Sequence, residues 1–247
     1  MTKIWAHRGA SSTAPENTLA AFDLAIRQGA DGIELDVHQS ADNRLVVTHD
    51  ESCRRATGEE GQISHMTLAE LRRLDFGYIR PGFGFQPIPT LAEVFDLIRP
   101  SGLVINIELK NGVNPYPGME KQILDLAADQ HMAERICFSS FNHYSMVLAS
   151  RLIAERKLGI PCGLLYSCGL VEPWVYAARI GVNALHPLYA NLQIPGYVQA
   201  SHEAGLAVNA WTIDQPEHIR LAIALGIDAV ITNVPDTALG IRNQKTL

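Results

Sequence analysis

Short apolar or β-branched runs alternate along the whole chain with segments whose apolar residues recur at helical spacing. The runs Lys3 to Ala6, Gly32 to Val37, Leu103 to Leu109, Ile136 to Ser139, Cys162 to Tyr166, Ala184 to His186, Ala207 to Ala210 and Ala229 to Thr232 read as strands, each followed by a helix. The helices carry start and stop signals. Leu19, Phe22 and Ile26 share a face, Asn17 or Thr18 can cap the free N–H groups, and Gly29 ends the pattern. Thr90 and Glu93 have capping-box spacing at the head of the stripe Leu91, Val94, Phe95 and Ile98. Asp214 and Glu217 repeat that spacing before Ile219, Ala222 and Ile223, with Gly226 as the stop.

Eight strand–helix pairs in strict alternation predict a parallel sheet, and right-handed crossovers close eight such units into a (β/α)8 TIM barrel. A doubly wound open sheet is the alternative. The rhythm breaks once, between the second strand and the second helix, where Asp50 to about Pro87 form a long insertion with a short helix marked by Thr67 and Glu70. Connections of that length are usually functional. This one leaves the C-terminal end of a barrel strand, where it could cover an active site.

At 247 residues the chain has the usual size of one such barrel, so a single catalytic domain spanning 1–247 is expected. No segment approaches the roughly 18 consecutive apolar residues of a membrane span, and the N-terminus reaches polar residues before an apolar signal region could form. Cys53, Cys137, Cys162 and Cys168 show no C-x-x-C spacing. A soluble, cytoplasmic protein without a membrane anchor is the expectation. The net charge of −6 comes without long charge runs, which argues against broad electrostatic binding to nucleic acid or anionic membrane. Any phosphate must be held locally. Nothing in the sequence addresses the oligomeric state.

In a barrel of this kind the active site lies at the C-terminal ends of the strands, so polar residues there need explaining. The first strand ends in His7-Arg8-Gly9. On the second, Glu34 and Asp36 share a face while Leu35 points to the helices; on the third, Asn106, Glu108 and Lys110 share one. Polar groups facing into a barrel are costly unless paired or bound to a metal. Glu34, Asp36 and Glu108 make an all-oxygen, negative cluster suited to one hard divalent cation such as Mg²⁺, Ca²⁺ or Mn²⁺. The alternative is purely structural: Glu108 pairs with Lys110, and Glu34 or Asp36 with Arg8. His7 and His49 fall close enough in the inferred fold to face one another across the cation and to act as an acid–base pair. Arg8 and Lys110 supply positive charge for a phosphate. His38, His65, His131, His143, His202 and His218 read as structural, and His186 is ambiguous because Pro187 can mark a turn there. No Gly-rich phosphate loop is present, so nucleotide cofactors are not indicated.

His7-Arg8-Gly9 followed by Pro15-Glu16-Asn17-Thr18, then Glu34-Leu35-Asp36-Val37, Val46-Val47-Thr48-His49-Asp50, Ile88-Pro89-Thr90-Leu91, Glu108-Leu109-Lys110, Trp211-Thr212 and Thr232-Asn233-x-Pro235 together resemble the glycerophosphodiester phosphodiesterase family, in particular its small bacterial cytosolic members. The resemblance covers nearly the whole chain. It implies that Glu34, Asp36 and Glu108 are metal ligands, His7 and His49 the acid–base pair, and Arg8 and Lys110 the phosphate contacts. Glu16 would organise the first loop, and Phe141 and Trp211 would form an apolar substrate wall or pack in the core. The implied reaction is hydrolysis of glycerophosphodiesters, such as glycerophosphocholine or glycerophosphoethanolamine, to glycerol 3-phosphate and an alcohol, with water or the neighbouring glycerol hydroxyl as nucleophile. Ser40 and the stretch Asp50-Glu51-Ser52-Cys53 depart from the family pattern, the latter lacking the apolar residue common after the His-Asp pair. Rival readings are a phospholipase-type phosphodiesterase acting on lipids, which needs a docking surface that the sequence pattern does not mark, a non-catalytic phosphate-binding barrel, and a metal-dependent sugar isomerase on the same fold.

Overall fold

A computed structural model of the chain describes residues 1–244. In chain order it runs β1 (Lys3–His7), α1 (Leu19–Gln28), β2 (Gly32–Gln39), β3 (Leu45–Val47), α2 (Arg54–Thr57), α3 (Leu68–Leu71), α4 (Leu91–Ile98), β4 (Val104–Leu109), α5 (Met119–Asp129), β5 (Ile136–Ser140), α6 (His143–Glu155), β6 (Cys162–Tyr166), α7 (Pro173–Ile180), β7 (Ala184–Pro187), α8 (Tyr197–Glu203), β8 (Ala207–Ala210), α9 (Pro216–Ala224), β9 (Ala229–Thr232) and α10 (Pro235–Asn243). Every strand but β3 belongs to one parallel ring, in the order β1-β9-β8-β7-β6-β5-β4-β2, which β1 and β2 close. This is the (β/α)8 barrel expected from the alternation, and not the open sheet.

The alternation of side chains divides the core in two. Outward residues Ile33, Leu35, Val37, Ile105, Ile107 and Leu109 pack with the helix stripes, Phe22 and Ala25 of α1 and Leu91, Val94, Phe95 and Ile98 of α4 among them, in one continuous buried shell. Inward, Trp5, Cys137, Ala229 and Ile231 fill the barrel, with Val104 and Trp211 against them. Two large rings fit there only because glycine faces them. A Cβ on Gly32 would stand 2.8 Å from Trp5 Cδ1, and one on Gly163 would stand 2.3 Å from both Cδ2 and Nε2 of His186. His186 is thus an interior ring, 1% exposed, with Asn209 Nδ2 donating to its Nε2 at 2.9 Å. Its place is within the barrel, so the ambiguity left by Pro187 resolves to packing.

The insertion is a small lobe with a core of its own: Val46, Cys53, Ala56, Ile63, Leu71, Phe76 and Ile88 form a separate buried cluster. The sequence pattern missed its first element. β2 runs two residues beyond Val37 and turns back through Asn43, which takes a left-handed φ of 58°, so that Leu45–Val47 pairs antiparallel to it. Cys53 is fully buried and fills the apolar place that the sequence seemed to lack, as a thiol behaving like a small hydrophobe. The Thr67 and Glu70 capping box is present.

The capping signals were read correctly at two other helices and wrongly at a third. Thr18 caps α1, and Thr90 with Glu93 forms the box on α4. Asp214 does not cap α9, whose N-cap is Gln215. Its carboxylate turns instead to the end of β9, accepting from Thr232 Oγ1 at 3.0 Å, from Asn233 N at 2.8 Å and from Asn233 Nδ2 at 2.6 Å. Two hydrogen bonds to a neighbouring strand end and a third from the amide side chain outcompete one local cap.

Gly163→Ala is expected to leave expression intact but lower stability by about 1–3 kcal/mol through overpacking against His186, read as a drop of several degrees in Tm by calorimetry. An unchanged Tm would mean that the interior yields where the fit looks rigid.

Candidate active site

The loop after β1 explains why His-Arg-Gly stands there. His7 ends the strand facing inward, then Arg8 and Gly9 both take left-handed backbone, at φ of 55° and 80°. Only glycine serves at the second position, because a Cβ there would stand 2.7 Å from the Ala21 backbone. The turn delivers the Arg8 amide to Glu34 Oε2 at 3.0 Å and its guanidinium to Glu16 Oε1 at 3.0 Å and within 3.4 Å of Asp36 Oδ2. Glu16 thus holds the Arg8 guanidinium from outside, a contact that the sequence reading, which gave Glu16 to the first loop, did not name. Asn17, also left-handed at φ 55°, donates through Nδ2 to Asp36 Oδ2 at 2.8 Å. It steadies a carboxylate and leaves the helix cap to Thr18.

Register brings the three acids together. β1 and β2 pair His7 with Glu34, and β2 and β4 pair Glu34 with Asn106 and Asp36 with Glu108, so their inward side chains form one layer at the C-terminal mouth. One oxygen from each of Glu34, Asp36 and Glu108 lies within 4.8 Å of the others. Burial, then the Asp36 and Glu108 charges, raise Glu34 well above the ordinary carboxyl range. Burial and the neighbouring Asp36 push Glu108 up to about 7. Burial works against Asp36 too, yet Arg8 and Lys110 hold it below the ordinary range. Lys110 Nζ stands 2.9 Å from Glu108 Oε1 and 3.7 Å from Asp36 Oδ1. The ion pairs of the structural alternative and the acidic cluster thus coexist, and the two cations do not quench it.

The donor set fits a hard divalent cation. All three donors are carboxylate oxygens, and Asp36 Oδ1 is buried with no hydrogen-bond partner among the described residues. Two of the three acids resist ionising where they stand, a repulsion that a dication would relieve.

Both histidines are held by Nδ1. Asp214 can only accept, so it fixes the Asn233 amide with Nδ2 toward itself at 2.6 Å and Oδ1 toward His7 Nδ1 at 2.7 Å. His7 must then carry its proton on Nδ1, which leaves the lone pair on Nε2, 3.9 Å from Glu34 Oε2. Burial and the adjacent Arg8 lower the His7 pKa to about 4, so the ring is neutral at physiological pH. His49 donates through Nδ1 to Asp50 Oδ1 at 2.5 Å, and its carbonyl accepts from His38 Nε2 at 3.1 Å. His38 is thus a buttress, in keeping with its structural reading.

His7, Arg8, Glu34, His49 and Glu108 line one cavity of about 70 Å³ together with Phe141 and Trp211, whose rings meet edge to face at 5.5 Å. Phe141 is about half exposed, and Tyr144, Val171 and Val175 are further exposed apolar side chains on or beside α6 and α7. Such residues are scattered in the sequence, and only folding gathers them on neighbouring helices. A larger cavity, about 850 Å³, opens at the opposite mouth around Trp5, Cys137 and His186. The chemistry decides between them, since the acidic cluster and the paired histidines converge only on the smaller one. Sequence reasoning missed Asp50, Asn233 and Asp214 as supports of the histidines. Asp50 and Asn233 stood inside quoted motifs, but Asp214 had been assigned to a helix cap.

A family model described as the glycerophosphoryl diester phosphodiesterase family matches residues 7–237. A glycerophosphodiester phosphodiesterase of Caldanaerobacter subterraneus subsp. tengcongensis is 43% identical over 242 residues, covering 97% of each chain. Among solved structures, a glycerophosphodiester phosphodiesterase from Agrobacterium tumefaciens superposes with a TM-score of 0.83 at 30% identity, over 97% of this chain and 100% of that one. An Oleispira antarctica phosphodiesterase solved in complex with the product sn-glycerol-3-phosphate gives 0.85 at 28% identity, over 99% and 98%.

Cation affinity should depend on pH with a definite sign. Without metal, Glu108 keeps its proton up to about pH 7, so below that pH a cation must displace it, and Glu34 shifts the same way. Affinity is expected to fall as pH drops below 7, by about tenfold per unit for each proton displaced. Titration calorimetry of Mn²⁺ in buffers of different ionisation enthalpy counts the protons released. Binding that ignores pH between 5 and 8 would remove Glu108 from the ligand set.

Proposed function

The chain belongs to the glycerophosphoryl diester phosphodiesterase family, and on that premise we propose that it hydrolyses glycerophosphodiesters such as glycerophosphocholine or glycerophosphoethanolamine to glycerol 3-phosphate and the free alcohol. That it is a phosphodiesterase follows from the membership; the substrates, the metal and the residue roles are our reading. What carries them is the convergence at one barrel mouth of three carboxylates, two buried and one half-buried, with two histidines, each held by Nδ1. The sn-glycerol-3-phosphate product in the Oleispira relative supports glycerol 3-phosphate as a product here.

Glu34, Asp36 and Glu108 would hold a divalent cation, which would supply positive charge to offset that of the phosphodiester. Arg8 and Lys110 neutralise what remains of the phosphate charge, in a site where their own positions are already fixed by Glu16, Asp36 and Glu108. Phe141 and Trp211 form an apolar wall beside the reacting groups and keep part of the cavity from water.

Their surroundings divide the work of the histidines. His7 is neutral, with its Nε2 lone pair toward the acidic cluster, which suits removal of a proton from the nucleophile. His49 is oriented through Nδ1 by the carboxylate of Asp50, which leaves Nε2 free to deliver a proton to the leaving alcohol. We read residues 1–247 as one catalytic unit.

Release of glycerol 3-phosphate from glycerophosphocholine is expected to vanish after EDTA treatment and to return with Mg²⁺, Ca²⁺ or Mn²⁺. Release that persists in EDTA would dismiss the metal, and none with any ion would dismiss the substrate. Glu108→Ala should lose metal affinity.

His7→Ala and His49→Ala should stay folded and bind metal but lose about 10²–10⁴-fold in kcat. With a p-nitrophenyl diester, whose leaving group needs no proton, the His49→Ala loss should shrink while the His7→Ala loss remains. The opposite pattern would exchange the two roles, and normal turnover in both variants would end the acid–base assignment.

A further inference from the structure

One guanidinium outside the cavity joins parts of the chain that are remote in sequence and close only in the fold. Arg55 lies on α2, in the lobe. Its Nε and NH2 donate to Asp50, at 2.6 Å to Oδ2 and 3.2 Å to Oδ1. Its NH1 and NH2 donate to Glu16, at 3.0 Å to Oε2 and 2.7 Å to Oε1. Each of those carboxylates also holds a group of the site. Asp50 accepts the Nδ1 proton of His49 at 2.5 Å, and Glu16 accepts from Arg8 at 3.0 Å.

We propose that Arg55 is a positioning residue: through two carboxylates it fixes His49 and Arg8 against each other and so makes the lobe part of the catalytic machinery. The inference rests on the hydrolytic reading above. Two edges of one planar guanidinium are used, each as a fork on one carboxylate, an arrangement that an ammonium cannot reproduce.

The lobe does not need Arg55 to stay folded or attached. Its apolar core is separate, and the Arg55 side chain is 44% exposed, where ion pairs add little to stability. Other contacts tie the lobe to the barrel without touching the site. Arg72 bridges to Glu93 of α4 at 2.6 Å, Leu68 N donates to Asp42 at 2.9 Å, and Arg80 donates to the Ser12 carbonyl at 2.8 Å. Loss of Arg55 would leave two adjacent carboxylates without their shared cation. Glu16 would be free to draw the Arg8 guanidinium outward, and Asp50 to let the His49 ring turn. Reacting groups misplaced by about 1 Å can cost on the order of 10²-fold in rate.

The test compares wild type with Arg55→Ala, Arg55→Lys and Arg72→Ala. The kcat and KM for glycerophosphocholine are measured together with hydrogen–deuterium exchange of the 48–58 segment in the absence of substrate. Both Arg55 variants should lose roughly tenfold or more in kcat, the lysine variant as badly as the alanine one, with faster exchange in that segment. Arg72→Ala, which breaks a lobe-to-barrel pair remote from the site, should match wild type in kcat and in exchange at 48–58. Wild-type kinetics in Arg55→Lys would overturn the inference, because charge alone would then suffice. Equal losses in Arg55→Ala and Arg72→Ala would overturn it as well, leaving only the docking of the lobe. A wild type that releases no glycerol 3-phosphate would instead defeat the substrate reading, while unchanged exchange in Arg55→Ala would still count against Arg55.

Discussion

Three carboxylates whose oxygens lie within 4.8 Å of one another, in a region largely closed to water, repel each other strongly, and much of the structure around them is arranged to keep them there. Asp36 ionises because Arg8 and Lys110 flank it, and Glu34 and Glu108 are pushed toward their protonated forms because burial and that same Asp36 charge oppose ionisation. Unpaired, such a cluster would be a poor way to build a core. As the holder of a divalent cation it makes sense, since the repulsion that destabilises the empty arrangement becomes affinity for the ion.

A barrel is suited to holding such a cluster rigid. Parallel register between β1, β2 and β4 sets His7 beside Glu34 and Asp36 beside Glu108 without help from any loop, and the apolar shell outside the strands resists their movement. The loops add what the strands cannot supply. Left-handed turns at Arg8 and Asn17 bring a cation and an amide back over the strand ends, and the lobe after β3 delivers Asp50 and Arg55. The cost of that backbone geometry, on the order of 1 kcal/mol for each non-glycine residue, is offset by hydrogen bonds to carboxylates that would otherwise be more exposed to each other.

The two histidines show how alike residues are made different. Each is fixed through Nδ1, one by a neutral amide that Asp214 orients and the other by a carboxylate that Arg55 also grips. Burial and a nearby arginine keep the first ring uncharged although its amide partner favours the charged form, whereas the second ring has a carboxylate as its partner. The difference depends on residues one step removed from the rings themselves.

The eight strands, most helix boundaries and the face each acid occupies were legible in the sequence, because strand alternation and helix periodicity are local properties that survive into the fold. So were the pairs Arg8 with Asp36 and Lys110 with Glu108, which sit in or near motifs whose spacing maps onto strand ends. What the sequence did not disclose were partners set by approach in space. Asp214 and Glu217 have the same spacing as the box on α4, yet Asp214 serves β9, because a strand end with three donors lay within reach. The short β3 follows a turn with no glycine, and Arg55 is one of two adjacent arginines of which only one meets two carboxylates. His186 could be placed only once Gly163 was seen to face it. Local periodicity determined the frame and the inward face of the three acids; tertiary packing alone decided which side chain each charged group would answer to, since that depends on distances between segments that the chain does not encode as spacing.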